Sequence, residues 1–161
     1  MPDHTNKDYI LILPNIRSAL NVGSMFRTAD AVGIHRIYIV GYTPTPLDKF
    51  GRKRSDIAKA SLGAEDTIPW EYKKTLPPLI KSLKKDGFKI VAIEQSSCSV
   101  HYKKVKVSPK MAFIMGNEVD GIPASILKMC DNVAEIPMAG MKESLNVSVA
   151  CGVALFGIIG Q

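Results

Sequence analysis

Only three cysteines occur in 161 residues, Cys98, Cys130 and Cys151. They are odd in number, widely separated and without histidines at ligand spacing, so neither a zinc site nor a disulfide framework is expected. They read as buried or idle thiols in a reducing cytosol. Histidine is scarce too: His4 is terminal, and nothing in the sequence ties His35 or His101 to a nucleophile. No G-x-G-x-x-G occurs, which removes the usual dinucleotide fingerprint. The glycine spacing of a phosphate loop does occur in "GNEVDG", residues 116–121, but Ile122 and Pro123 follow where Lys and Ser or Thr are required. The amino-terminal "MPDHTNKDY" has no apolar signal core. The most apolar run, residues 145–160, falls short of the roughly 20 residues that a membrane span needs. Neither export nor a membrane anchor is expected.

What is present is ordinary globular composition, 46% hydrophobic and 22% charged, enough for one domain over residues 1–161 with a real core. The formal charge of +6 favours polyanionic partners without naming one. Apolar runs of strand length begin at Tyr9, Arg36, Phe88, Met111 and Asn132, and several are nearly continuous, as buried parallel strands are. Helical patterns lie between them at residues 19–32, 76–85, 124–130 and 145–159. The alternation predicts an α/β fold, a mostly parallel sheet with helices on both faces. Residues 41–59, rich in proline, glycine and charge, read mostly as an exposed loop.

Three polar clusters each follow a predicted strand, where open α/β sheets hold their ligands. The first is Asn21, Gly23, Arg27 and Thr28, beside an apolar face of Val22, Met25, Phe26, Ala29 and Val32. The second is "IMGNEVDGIP" and the third "IPMAGMKESLNVSVACGVA". Each also has a structural reading: Asn21 as a helix cap, Arg27 as a surface charge, Gly116, Asn117 and Gly121 as turn residues, Ser144 as a cap with Asn146 in the first turn.

Taken in order, "NVGSMFRT", "GNEVDGIP" and "IPMAGMKESLNVSVA" resemble the three motifs of the SpoU/TrmH family of RNA 2′-O-ribose methyltransferases, in the SPOUT superfamily. The likeness runs over residues 9–156. It implies S-adenosyl-L-methionine as methyl donor, a homodimer, and a deep trefoil knot near the carboxyl end, which patterning alone would not suggest. By the family pattern, Glu94, Gln95, Gly116, Asn117, Ile136, Met138, Ser144, Leu145 and Asn146 line the cofactor pocket. Ser144 and Asn146 match the polar pair of the third motif. Glu118 matches the acid of the second, with the expected role of fixing Arg27 and Asn21.

Arg27 matches the family's catalytic arginine. Neutralising a guanidinium at pH 7 costs roughly 7 kcal/mol, so the expectation is a cation that grips phosphate and stabilises the developing alkoxide. No added recognition domain is expected, and substrate choice falls to loops of the core. Lys49, Arg52, Lys53 and Arg54 are the leading RNA phosphate contacts, with Lys103, Lys104 and Lys106 second. Two rival readings are a non-catalytic RNA-binding module that keeps the fold, and a methyltransferase for another hydroxyl. Neither tRNA nor rRNA is singled out.

Overall fold

The computed structural model describes residues 6–160; His4, most of the amino-terminal stretch and Gln161 lie outside them. In chain order the strands are β1 (Asp8–Pro14), β2 (Arg36–Val40), β3 (Trp70–Lys73), β4 (Lys89–Ile93), β5 (Val100–His101), β6 (Lys110–Ile114) and β7 (Asn132–Glu135). They form a single sheet of order β3-β2-β1-β6-β4-β7-β5 in which every pairing is parallel. The helices are α1 (Ala19–Val32), α2 (Ser55–Ser61), α3 (Ala64–Thr67), α4 (Leu76–Lys85), α5 (Ala124–Leu127) and α6 (Val147–Ile159).

Alternation along the central strands divides the core into two layers. Leu11, Leu13, Ile37, Ile39, Val91, Met111 and Phe113 face α1, α2, α3 and α6. Their neighbours Ile10, Ile12, Tyr38, Val40, Ile90, Ala92 and Ile114 face α4 and α5. Both faces are covered, and this is why the strands read as continuous apolar runs.

Helix α1 keeps its expected bounds, but its start is built differently. Ser18 is the cap, accepting the Asn21 N–H at 3.2 Å, so Asn21 lies inside the helix rather than at its cap. Gly23 is buried, and a Cβ there would stand 2.6 Å from the Ile57 carbonyl oxygen of α2. The close packing of α1 on α2 therefore requires glycine.

Other expectations need correction. The loop over 41–59 ends early, because α2 starts at Ser55 with Asp56 in its first turn and Ile57 buried. The pattern at 124–130 shortens to α5: Asp131 turns the chain into β7, donating its N–H to Ile90 O and accepting Ile90 N–H on its carboxylate. Helix α6 begins two residues late, at Val147, because Asn146 caps it. Strand β3 was not expected, since it is an edge strand with half-buried or exposed side chains, and β5 is too short to leave a pattern.

Candidate active site at the carboxyl edge of the sheet

Strands β4, β6 and β7 end at one edge, and the segments beyond them enclose a cavity of about 440 Å³. Ile93, Glu94 and Gln95 come from the end of β4, and Met115, Gly116, Asn117 and Glu118 follow β6. Ile136 and Met138 follow β7, and Ser144, Leu145 and Asn146 lead into α6. Every position expected at a cofactor pocket lies along this one cavity. Gly116 approaches the turn at Gly121 so closely that a Cβ would sit 3.0 Å from the Gly121 carbonyl carbon. Gly121 has φ +68°, and a side chain there would collide with the Glu94 carboxylate. That carboxylate accepts N–H groups from Gln95 and Ile122, each at 2.9 Å. The Gln95 amide donates to Glu143 O at 2.8 Å, tying the β4 loop to the segment before α6.

A chain of polar contacts runs along the rim. Asn146 Nδ2 donates to Asn21 Oδ1 at 3.3 Å, and Asn21 Nδ2 donates to Glu118 Oε2 at 3.1 Å. Glu118 also accepts the Arg17 N–H at 2.9 Å and the Ser18 N–H at 2.9 Å. Partial burial pushes the Glu118 carboxyl upward, but the N–H groups of Arg17 and Ser18, with Asn21, outweigh it and hold the group below its ordinary value. The side-chain oxygen of Asn146 accepts from Ser148 N–H at 2.9 Å and Val149 N–H at 3.4 Å. Asn146, not Ser144, therefore caps α6. The Ser144 hydroxyl lines the cavity and makes no hydrogen bond among the described residues.

One expected arrangement is corrected. Glu118 does not hold Arg27: among the described residues no carboxylate or hydrogen-bond partner reaches that guanidinium, which is exposed. Six residues of helix turn Arg27 about 240° away from Asn21 and some 9 Å along the axis, so the two do not share a face. Asn117 lines the cavity, and its side chain is already engaged, donating to Asn15 O at 2.7 Å and the Tyr42 hydroxyl at 2.8 Å while its oxygen accepts from Val119 and Asp120.

The basic loop is also less free than its composition suggests. Arg52 pairs with Asp48 at 3.2 Å, Lys53 with Asp66 at 2.7 Å and Arg54 with Asp56 at 3.0 Å. Lys49 has no carboxylate partner among the described residues. The backbone donors of Arg17 and Ser18 were missed by sequence reasoning. A serine three residues before Asn21, at the head of an apolar helical pattern, is the cap signal that could have found them.

An all-parallel α/β domain with a nucleotide-sized cavity at the carboxyl ends of its strands is, by class, a nucleotide- or cofactor-binding domain. The family model described as the SpoU rRNA Methylase family matches residues 8–156, and the chain belongs to that family. It is 32% identical over 152 residues to the 23S rRNA (guanosine-2'-O-)-methyltransferase RlmB of Vibrio cholerae serotype O1, an alignment covering 94% of this chain and 59% of that protein. The AdoMet-bound rRNA methyltransferase of Sinorhizobium meliloti superposes with a TM-score of 0.85 at 30% identity, covering 95% of this chain and 56% of that one. For the TrmH/SpoU tRNA modifying enzyme of A. aeolicus the TM-score is 0.81 at 30% identity, covering 94% of this chain and 73% of that one. The chain thus spans little more than half the length of the first two relatives.

Proposed function

We propose that this chain is the catalytic domain of an S-adenosyl-L-methionine-dependent RNA 2′-O-ribose methyltransferase. The observation that carries the reading is the convergence of all three family motifs on one rim, through the Asn146–Asn21–Glu118 hydrogen bonds beside the cavity. The residues fit the donor. Ile93, Met115, Ile136, Met138 and Ala150 give apolar walls for an adenine ring and methionine chain, while Glu94, Gln95 and Ser144 supply polar groups. The donor would supply a methyl group on a sulfonium, open to displacement by the ribose 2′-oxygen. Asn146 and Asn21 then orient that hydroxyl, with Glu118 fixing the Asn21 amide. Arg27, as a cation, grips the adjacent phosphate and stabilises negative charge developing on the oxygen, and the proton leaves to phosphate or water.

Arg27 reaches a cavity through a second copy of the chain. Leu20, seven residues before it and on the same helical face, is exposed, and so are Val149, Val153 and Phe156 on the neighbouring α6. These side chains form an apolar strip of the kind that homodimers cover. The same reading includes a deep trefoil knot. Its support is the insertion of β7 between β4 and β5 and the Gln95 bond to Glu143 beyond it.

Residues 1–161 are read as one domain, since every described strand joins one sheet. The curated relative is named for ribosomal RNA, which makes rRNA the first substrate to test and tRNA the second. A cytoplasmic location goes with either substrate. The deciding experiment is transfer of labelled methyl from S-adenosyl-L-methionine to rRNA and tRNA, with the product nucleotide identified by mass spectrometry. A labelled 2′-O-methyl nucleotide is the expected result. Cofactor binding without transfer to either RNA would leave a binding module instead.

A further inference from the structure

Phe50 is 69% exposed at the tip of a loop that is closed, not floppy. Asp48 Oδ1 accepts the Phe50 N–H at 2.8 Å and the Arg52 N–H at 2.9 Å. The Asp48 N–H donates to Arg52 O at 2.8 Å, Gly51 takes φ +76°, and Leu47 and Lys53 pair as an antiparallel bridge. The loop is anchored at one end to the β1–α1 connection and at the other, through α2, to the helix that bears Asn21 and Arg27. At one end the Thr43 hydroxyl donates to Leu13 O at 2.8 Å and accepts the Ile16 N–H at 2.9 Å, just ahead of α1. At the other, Arg54 leads directly into α2, which packs on Gly23 of α1. Because the loop follows β2, it stands at the same edge of the parallel sheet as the cavity.

Two cations lie over the ring: Lys49 Nζ at 5.1 Å and the Arg52 guanidinium carbon at 4.9 Å from its centre. Arg52 is tethered to Asp48. Lys49, without a carboxylate, can leave the ring for a phosphate and give its place to a planar group. An exposed aromatic with two cations over its ring, on a loop closed by backbone hydrogen bonds and a chain of charge +6, suits an unstacked base joined to phosphate better than it suits a protein surface.

We propose that Phe50 is a stacking platform for an unpaired nucleobase of the RNA, close to the nucleotide that is methylated, with Lys49 taking the neighbouring phosphate. This rests on the reading that the substrate is RNA. The test measures affinity of the full chain for a short unstructured RNA oligonucleotide and for its duplex over a range of salt, with S-adenosyl-L-methionine affinity in parallel.

Phe50→Ala should weaken single-strand binding roughly ten-fold at an unchanged salt slope, Phe50→Tyr should retain it, and cofactor affinity should not move. In a second measurement, Phe50→Trp in a Trp70→Phe background makes the introduced indole the sole tryptophan of the chain. Its fluorescence should be quenched by the single strand more than by the duplex. Wild-type affinity in Phe50→Ala, or an indole blind to RNA, overturns the stacking role alone. A wild-type chain that binds S-adenosyl-L-methionine but neither RNA overturns the RNA reading, and Phe50 with it.

Discussion

Asn21 hydrogen-bonds to Glu118, 97 residues further on, and to Asn146, 125 residues further on, whereas Arg52 and Arg54 find their carboxylates within four residues. The difference separates two uses of polar side chains at one edge of the sheet. Contacts across the whole chain form only when the fold is complete, and they fix atoms relative to the cavity. Contacts within a loop shape the loop and offset its charge locally, so the charge of Arg52 and Arg54 is partly met by carboxylates of the same segment. Arg27 belongs to neither group, since it is exposed and unpaired among the described residues.

That position makes Arg27 the place to break the comparison most sharply. Arg27→Ala is expected to lower kcat by roughly 100- to 1,000-fold with the fold and cofactor affinity intact, as for loss of one group that stabilises developing charge. Arg27→Lys should recover little, because it keeps charge and loses the planar fork. If the chain pairs as proposed, mixing the impaired Arg27→Ala and Asn146→Ala chains under conditions of subunit exchange should raise turnover above that of either alone, since each mixed dimer then holds one intact site. No recovery in verified mixed dimers would place Arg27 in the cavity of its own chain.

Asn146 sharpens the comparison by separating two jobs. Asn146→Ala removes the α6 cap, at about 1 kcal/mol of stability, and also the bond to Asn21. Asn146→Asp retains a capping oxygen but cannot donate to Asn21. We expect both variants to lose ten-fold or more in methyl transfer, with RNA affinity unchanged and only the alanine variant lowered in Tm. Normal turnover in the aspartate variant would reduce Asn146 to a cap.

Glu118 links the same network to pH. Its folded-state pKa is depressed, so its contribution to stability is complete above the ordinary carboxylate value and is lost as pH falls through the folded value. The stability gap between wild type and Glu118→Gln should be largest near neutral pH and close in acid. Denaturant titrations across that range measure it. A gap that stays constant into acid would mean that the carboxylate charge contributes nothing to holding the Arg17 and Ser18 N–H groups.

The sheet was legible because strands buried on both faces must be apolar along their whole length, as the runs through Leu11, Ile39, Val91 and Phe113 are. Trp70–Lys73 was not, because an edge strand keeps polar side chains in solvent. The cavity residues that follow β6 and β7 were legible through the second and third motifs, yet the motifs did not show their wiring. Nothing in the order of residues tells that Glu118 turns to Arg17 and Ser18 rather than to Arg27. Nor does it tell that Gly23 is present for the Ile57 carbonyl oxygen. Both depend on the approach of segments distant in the chain, a tertiary fact with no local pattern.

The smallest effects are expected in the loop, and they test whether charge or pairing decides. If all four cations contacted phosphate, each alanine substitution would weaken RNA binding alike and lower the salt slope by nearly one. The ion pairs predict otherwise. Lys53 is held by Asp66 and Arg54 by Asp56, so binding a phosphate there means giving up a carboxylate, and the net gain is small. Lys49 gives up only its contact with the Phe50 ring. Lys49→Ala should therefore reduce affinity several-fold and flatten the salt dependence, while Lys53→Ala should fall within about two-fold of wild type. Replacing Lys49, Arg52, Lys53 and Arg54 together should lower the slope by less than four contacts require. Binding isotherms at several salt concentrations read all three quantities. Equal losses at Lys49 and Lys53 would show that RNA displaces Asp66, and the local ion pairs would then be a resting state of the loop rather than a limit on its charge.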